Sequence, residues 1–163
     1  MTMTFYIYYN TPAGSALLTS NGSEITGFHW EVFKRAPKPL SSWVENEDYF
    51  QEIIAQMDEY FTGRRQEFDL PFKIEVGTDF QKAVWTELAK VSFGATRTYG
   101  EVAAAIGRPN AVRAVGHAVG SNPISIIVPC HRILAAGNKI NGYAGGLEAK
   151  ALLLGIEKSS YLA

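Results

Sequence analysis

The chain has 163 residues, a formal net charge of −1 and a hydrophobic fraction of 47%, which is typical of a globular protein and excludes a disordered one. It contains no run of about 18 apolar residues and no basic or apolar leader in residues 1–10, so neither membrane insertion nor export is expected. Its single cysteine excludes an internal disulfide and a thiolate-rich zinc site, and favours a reducing, cytoplasmic setting.

The first part of the chain is predicted to form strands followed by a helix. β-Forming residues dominate positions 5–9 and 25–30, and Asn21-Gly22 ahead of the second run is a strong hairpin signal. Apolar side chains then recur at three- and four-residue spacing, which predicts an amphipathic helix ended by Gly63. These side chains are Tyr49, Phe50, Ile53, Ile54, Met57 and Phe61. A further strand is expected over residues 68–76.

Two capping boxes mark helix starts after Gly77. Thr78 is followed three residues later by Gln81, and Thr98 by Glu101. The second box predicts a short helix over residues 99–106. After a break, Asn110 is expected to cap a further helix over residues 111–121, which makes the pair a helix-turn-helix candidate.

The last of these helices has an unusual composition. Val112, Val115 and Val119 are expected to pack inward, while most other positions carry small residues and Arg113 is the one long cation. Such a surface suits either a close approach to a DNA minor groove or tight packing against the rest of the protein. Charge favours the second half as the nucleic-acid side. Residues 1–78 hold six Lys or Arg and eleven Asp or Glu (−5), whereas residues 79–163 hold nine and five (+4).

The only cysteine follows a buried-type segment. Residues 124–128 form a mostly β-branched apolar run that ends in Pro129-Cys130-His131-Arg132. A neighbouring imidazole can accept a thiol proton and leave the more nucleophilic thiolate. Adjacent residues in an extended chain point in opposite directions, so Cys130 and His131 need a turn or a bridging water to communicate. The simpler interpretation is an inert, buried cysteine.

These motifs together resemble the O6-alkylguanine-DNA alkyltransferases, also called methylated-DNA–protein-cysteine methyltransferases. Pro-Cys-His-Arg at 129–132 and Gly-Ser-Asn-Pro at 120–123 carry the resemblance, which continues through residues 98–100, 113–116, 142–146 and 150–157. It covers nearly all of residues 78–163 and is looser before them. The resemblance implies an α/β (α+β) fold: a ribonuclease H-like sheet-plus-helix lobe over residues 1–77 (the first lobe) and a mainly helical, winged-helix-like lobe with the helix-turn-helix over residues 78–163 (the second lobe).

The resemblance also implies catalytic roles. Cys130 is expected to be the nucleophile and final acceptor of an alkyl group from O6-alkylguanine in DNA. His131 would be its base through a water, and Glu157 would orient the imidazole. Asn122 would hold the active-site turn, and Tyr99 would contact the flipped nucleotide and donate to the base.

Further residues are expected to bind DNA and substrate. Arg113 would replace the extruded guanine in the stack, and Tyr143, Ala144 and Gly145 would form a lid. The remaining expected contacts are Gly100, Arg108, Ala114 and Gly116. The partner would be double-stranded DNA, bound from the minor groove by a monomer that uses each active site once, with no cofactor and no metal.

Three other functions compete with this hypothesis. A non-catalytic relative that only binds alkylated DNA would lack the cysteine that this chain has. A cysteine hydrolase using Cys130, His131 and Glu157 would normally draw nucleophile and base from distant segments. A transcription factor would account for Arg113 and the two capped helices but not for Pro129-Cys130-His131-Arg132.

Overall fold

The structure, a computed structural model, describes residues 2–162 and confirms the predicted mixed α/β architecture. The first lobe holds a four-stranded sheet in the order β3-β2-β1-β4 and one helix. Its elements are β1 (Phe5–Thr11), β2 (Gly14–Ser20), β3 (Ile25–Trp30), β4 (Val44–Glu45) and α1 (Gln51–Phe61). The first three strands are antiparallel, and β4 runs parallel to β1.

The predicted hairpin and helix of the first lobe are both confirmed. The loop between β2 and β3 is an Asx turn, because the Asn21 side chain accepts hydrogen bonds from the backbone N–H groups of Ser23 and Glu24 at 3.0 and 2.8 Å. Helix α1 is preceded by a 3-10 turn. Tyr49 in that turn does not join the core: it is exposed and stacks on Phe5 at 4.0 Å between ring centroids.

The predicted strand over residues 68–76 is wrong. This segment forms one isolated bridge, between Phe72 and Ile25 on the outer edge of β3. Farther along the same edge, Phe28 instead bonds to the chain at Pro123 and Ser125, with N–O distances of 2.9 and 3.1 Å. The second lobe therefore occupies part of the edge that a fifth strand would need.

The second lobe is mainly helical. Its elements are α2 (Asp79–Leu88), β5 (Arg97–Thr98), α3 (Tyr99–Ala105), α4 (Val112–Gly120), β6 (Ile133–Leu134) and α5 (Leu147–Ile156). Both predicted capping boxes are present, with the Thr78 and Thr98 side chains accepting from the N–H groups of Gln81 and Glu101. The helix-turn-helix is formed by α3 and α4.

Two details of α4 differ from prediction. Asn110 is not the cap: Ala111 occupies that position, with no side-chain hydrogen bond. Val112 does not pack inward but is 42% exposed, and Ala118 takes its place beside the buried Val115 and Val119. The Trp85 indole donates to the Ala118 carbonyl at 2.7 Å, which holds this face of α4 against α2.

No helix within residues 2–162 is long and apolar enough to span a membrane.

Candidate active site

The segment before the cysteine is a tightly bonded loop. The Asn122 amide donates to the Val128 carbonyl at 2.7 Å, and its oxygen accepts from the Ile124 N–H at 3.0 Å, so one side chain joins both ends of the loop. Between them, the buried Ile126 has φ +69°, a conformation that a β-branched residue rarely adopts. Backbone strain of this kind costs about 1–3 kcal/mol and persists only where surrounding contacts hold it.

Cys130 begins a 3-10 turn that runs to Arg132 and follows this loop. The chain is thus turned, not extended, at the cysteine and histidine. The thiol residue is 4% exposed and lies at the inner wall of an open cavity. Burial raises the pKa of the Cys130 thiol, and hydrogen bonds from Asn122 and Ser125 and the charge of Lys150 oppose that rise. At neutral pH the resting side chain is therefore a thiol.

Three buried side chains form an ionic network behind the cysteine. His131 Nε2 lies 2.7 Å from Glu157 Oε2, and Arg132 donates to both carboxylate oxygens, from Nε at 2.7 Å and from Nη2 at 3.0 Å. Burial alone would raise the pKa of Glu157, but the hydrogen bonds from His131 and Arg132 and their positive charges, that of His131 only when the ring is protonated, outweigh it and lower the pKa to about 2. Glu157 is thus an anion at neutral pH.

This network determines which imidazole nitrogen can act as a base. Because ionised Glu157 can only accept, Nε2 of a neutral His131 carries the proton and donates it to the carboxylate. Nδ1 is then the lone-pair nitrogen, and it is buried without a hydrogen-bond partner among residues 2–162. Burial lowers the pKa of His131, against the opposing effect of Glu157, so the resting imidazole is neutral.

The cavity in front of the thiol has a volume of about 720 Å³. It brings together seven of the residues predicted for the site: Tyr99, Arg113, Gly116, Asn122, Cys130, Tyr143 and Ala144. His131 and Glu157 do not line the cavity but lie behind its wall, in the ionic network with Arg132. Gly100, Arg108, Ala114 and Gly145 do not line it, and the first three are exposed around the helix-turn-helix.

The cavity also contains residues that sequence reasoning missed. Phe33 and Arg35 reach it from the loop after β3, and neither was among the expected site residues. On the second lobe, Val112, His117, Ser125 and Asn141 contribute to its lining. The exposure of Val112 follows from this position, because its side chain faces the cavity and not the core.

A buried lysine supports the rim of the cavity. Lys150 Nζ donates to the carbonyls of Ile133, Asn141 and Gly142 at 2.6, 2.9 and 3.2 Å. Burial lowers the pKa of Lys150 to about 8, while Cys130 opposes that change. Lys150 therefore remains largely cationic at neutral pH, fixes the chain that leads to Tyr143, and favours a thiolate at Cys130.

The predicted lid contacts the first lobe. Trp30 Nε1 donates to the Tyr143 hydroxyl at 3.1 Å. A Cβ atom at Gly145 would lie 2.9 Å from the Trp30 ring, so only glycine permits this approach. Burial raises the pKa of Tyr143 well above its ordinary value, and burial and the neighbouring Cys130 raise that of Tyr99. Both phenols are consequently protonated donors at neutral pH.

Within residues 2–162, no group of three or more His, Cys, Asp or Glu side chains is arranged to hold a metal ion.

The chain matches two family models that together span most of its length. Residues 79–159 match the DNA-binding domain of 6-O-methylguanine DNA methyltransferase, and residues 4–74 match the ribonuclease-like domain of the same family. The chain belongs to the 6-O-methylguanine DNA methyltransferase family.

Individual relatives are similar to this chain over nearly their whole lengths. The methylated-DNA–protein-cysteine methyltransferase of Haemophilus influenzae is 46% identical, covering 99% of this chain and 90% of the relative. The methylated-DNA–protein-cysteine methyltransferase of Methanosarcina acetivorans is 44% identical, covering 95% of this chain and 99% of the relative. A Mycobacterium tuberculosis crystal structure in complex with DNA is 41% identical, with a TM-score of 0.89 over 94% of this chain and 93% of that one.

Proposed function

We propose that this protein repairs DNA by transferring the alkyl group of O6-alkylguanine irreversibly to Cys130. One observation carries the proposal: the only thiol of the chain lies at the wall of an open cavity whose rim includes Arg113 of the helix-turn-helix. A stacked guanine cannot reach a rigid, buried nucleophile, so the damaged base must leave the duplex and enter this cavity. The family membership and the DNA complex of the M. tuberculosis relative support DNA as the partner.

The chemistry requires a thiolate only when substrate is present. In the proposed step the Cys130 proton passes through a water to Nδ1 of His131, and the resulting imidazolium is stabilised by Glu157 at 2.7 Å from Nε2. The thiolate sulfur then bonds to the alkyl carbon as the bond from that carbon to O6 breaks. The leaving guanine is stabilised by hydrogen bonds and takes up one proton, which balances the proton lost by Cys130. The thioether product offers water no good leaving group, so each chain reacts once and needs no cofactor.

The second lobe supplies the proposed DNA contacts. Arg113 would fill the gap left by the extruded guanine, and the small residues Ala114 and Gly116 would let α4 approach the minor groove closely. Gly100 and Arg108, exposed near the start and after the end of α3, would contact the backbone, and Tyr143, Ala144 and Gly145 would cover the flipped base. The protein would bind DNA as a monomer and act in the cytoplasm, a reducing setting that suits a chain with one free cysteine.

We also propose that the boundary between the two lobes lies between residues 77 and 78.

The DNA product tests the proposal. Duplex oligonucleotide containing O6-methylguanine, digested to nucleosides after reaction, should lose O6-methylguanine and gain guanine mole for mole with the protein added. Bound DNA that keeps its methyl group would instead favour the non-catalytic alternative. Release of free methanol in excess of the protein would favour a hydrolase.

Tyr99→Phe should slow alkyl transfer about tenfold, because the loss of one hydrogen bond donated to the base costs roughly 1.4 kcal/mol of transition-state stabilisation. Its hydroxyl makes only a long 3.4 Å bond to the Asn141 carbonyl, so the free energy of unfolding should change little. Single-turnover transfer rates and denaturant unfolding measure the two effects. The matched control is Tyr8→Phe, because Tyr8 is an exposed tyrosine on the first lobe. An unchanged rate in Tyr99→Phe would remove this hydroxyl from the reaction.

Glu157→Gln should raise the apparent pKa of the Cys130 thiol, because an uncharged amide stabilises the imidazolium less than a carboxylate does. It should also lower the free energy of unfolding at pH 7 by about 3 kcal/mol, since buried Arg132 loses its counter-ion. The folded-state pKa of Glu157 is about 2 against an ordinary 4.5, so its stabilisation is present above pH 4.5 and declines as the pH falls towards 2. The stability difference between wild type and variant should narrow over that window.

The pH dependence of transfer from free O6-benzylguanine to Cys130, and unfolding at several pH values, check these effects. Glu59→Gln, which breaks a surface pair with Arg65, is the control and should cost less than about 1 kcal/mol. An unshifted thiol pKa in Glu157→Gln would contradict the proposed proton relay.

A further inference from the structure

A residue of the first lobe contacts the catalytic network directly. Tyr60, on α1, is fully buried, and its hydroxyl donates to Glu157 Oε2 at 2.6 Å across 97 positions of sequence. The Tyr60 ring is held by the aromatic rings of Phe61, Phe68 and Phe93, at centroid distances of 5.3, 5.4 and 6.3 Å. These contacts and the burial position the Tyr60 hydroxyl against the carboxylate.

The hydrogen bonds at Glu157 are distributed unequally. Oε2 accepts from Tyr60, from His131 at 2.7 Å and from Arg132 Nη2 at 3.0 Å, whereas Oε1 accepts from Arg132 Nε alone. A hydrogen bond donated to an ionised carboxylate stabilises its negative charge, so each donor at one oxygen reduces the proton affinity that this oxygen offers to the other donors. The phenol thus reduces the stabilisation that Glu157 can give to a protonated imidazole.

We infer that Tyr60 is a positioning residue for alkyl transfer: it holds the Glu157 carboxylate in place from the first lobe and limits the basicity of His131. This inference rests on the proposed function of the Cys130–His131 pair. It assigns the first lobe a part in tuning the active site beyond supporting the second lobe.

Other charged and titratable groups near this network do not replace the phenol. Within residues 2–162, the charged and titratable groups that bond to Glu157 are Tyr60, His131 and Arg132. His131 is additionally influenced by Lys150 on α5, and its ring meets Tyr143 edge-on at 6.5 Å. Arg132 and Lys150 lower the pKa of His131 by charge. Tyr60 and Arg132 Nη2 both donate to the oxygen that His131 itself uses, and Tyr60 is the uncharged one of these two donors.

The test is the direction in which the pH dependence of the transfer rate shifts when the Tyr60 hydroxyl is removed. Tyr60→Phe keeps the ring and removes the hydroxyl, which leaves Oε2 more strongly bonded to His131. The pKa of His131 should rise by about one unit, and the acidic limb of the transfer rate for free O6-benzylguanine should move to higher pH by a similar amount. Glu157→Gln should move the same limb in the opposite direction. The control is Tyr9→Phe. Tyr9 also donates to a carboxylate, that of Asp58 at 2.9 Å, but it does not line the cavity.

The outcomes separate positioning from simple structural support. A rate that falls equally at all pH values, or a limb that stays in place or moves to lower pH, would overturn the inference. NMR titration of the His131 ring in unreacted protein gives its pKa without any transfer reaction. An inactive wild type would therefore refute the proposed function, while the His131 titration would still decide the role of Tyr60.

If Tyr60→Phe does not fold, the wild type provides the measurement. In protein labelled with ¹³C at tyrosine Cζ, the Tyr60 signal should titrate with the pKa of His131, because protonation of the imidazole changes the charge available at Oε2. The Tyr9 signal in the same sample should not follow that titration. A Tyr60 signal unaffected by His131 protonation would overturn the inference.

Discussion

Cys130→Ser is expected to abolish alkyl transfer to the protein while DNA binding is retained. A serine hydroxyl ionises far less readily than a thiol and is a poor nucleophile without strong activation. The side chain is buried at the inner wall of the cavity, away from Arg113 on the rim, so the exchange of sulfur for oxygen leaves the DNA-binding surface intact. Transfer is measured as radiolabel moved from methylated duplex to protein, and binding by the mobility of the same duplex.

The serine variant also separates the competing functions. Since Cys130 is the only cysteine, no other thiol can take over its role. Wild-type levels of transfer in Cys130→Ser would rule out this residue as the acceptor. Loss of DNA binding along with transfer would indicate that the substitution had disturbed the strained loop before the cysteine, and thermal unfolding of the variant would reveal that.

Arg113→Ala is expected to slow repair of O6-methylguanine in duplex DNA roughly 100-fold, because the cost of extruding a base is a few kcal/mol and the inserted cation offsets part of it. Reaction with free O6-benzylguanine should be nearly unaffected, since a free base needs no extrusion. The arginine is exposed, lies in the first turn of α4 and lines the cavity. Single-turnover rates on both substrates give the comparison.

Lys82→Ala controls for the loss of one positive charge, because Lys82 is an exposed cation of the second lobe outside the cavity. Both variants should weaken binding modestly through lost phosphate attraction. Only Arg113→Ala should show the large difference between duplex and free base. Equal losses with the two substrates would contradict its proposed role in base extrusion.

Features that depend on neighbouring residues could be predicted from sequence. The capping boxes at Thr78 and Thr98 involve residues three positions apart, and both are present in the structure. The hairpin at Asn21 depends on a local side-chain turn. The position of Cys130 after a buried segment was also evident, because β-branched and apolar residues run directly up to it.

Features that depend on long-range packing were missed. Residues 68–76 have strand-like composition, but the sheet edge they would need is bonded in part to Pro123 and Ser125. The exposure of Val112 depends on how α4 is rotated against α2, which the valine spacing alone does not determine. The contribution of Phe33 to the cavity depends on how the two lobes meet, and no local pattern indicates it.

The most direct test of alkyl transfer to Cys130 is intact-protein mass spectrometry after mixing the chain with duplex DNA that contains O6-methylguanine. We expect a gain of one methyl group, mapped to the peptide that contains Cys130, and no second addition even with excess DNA. An unchanged mass while the DNA remains bound would contradict alkyl transfer and leave a damage-binding protein.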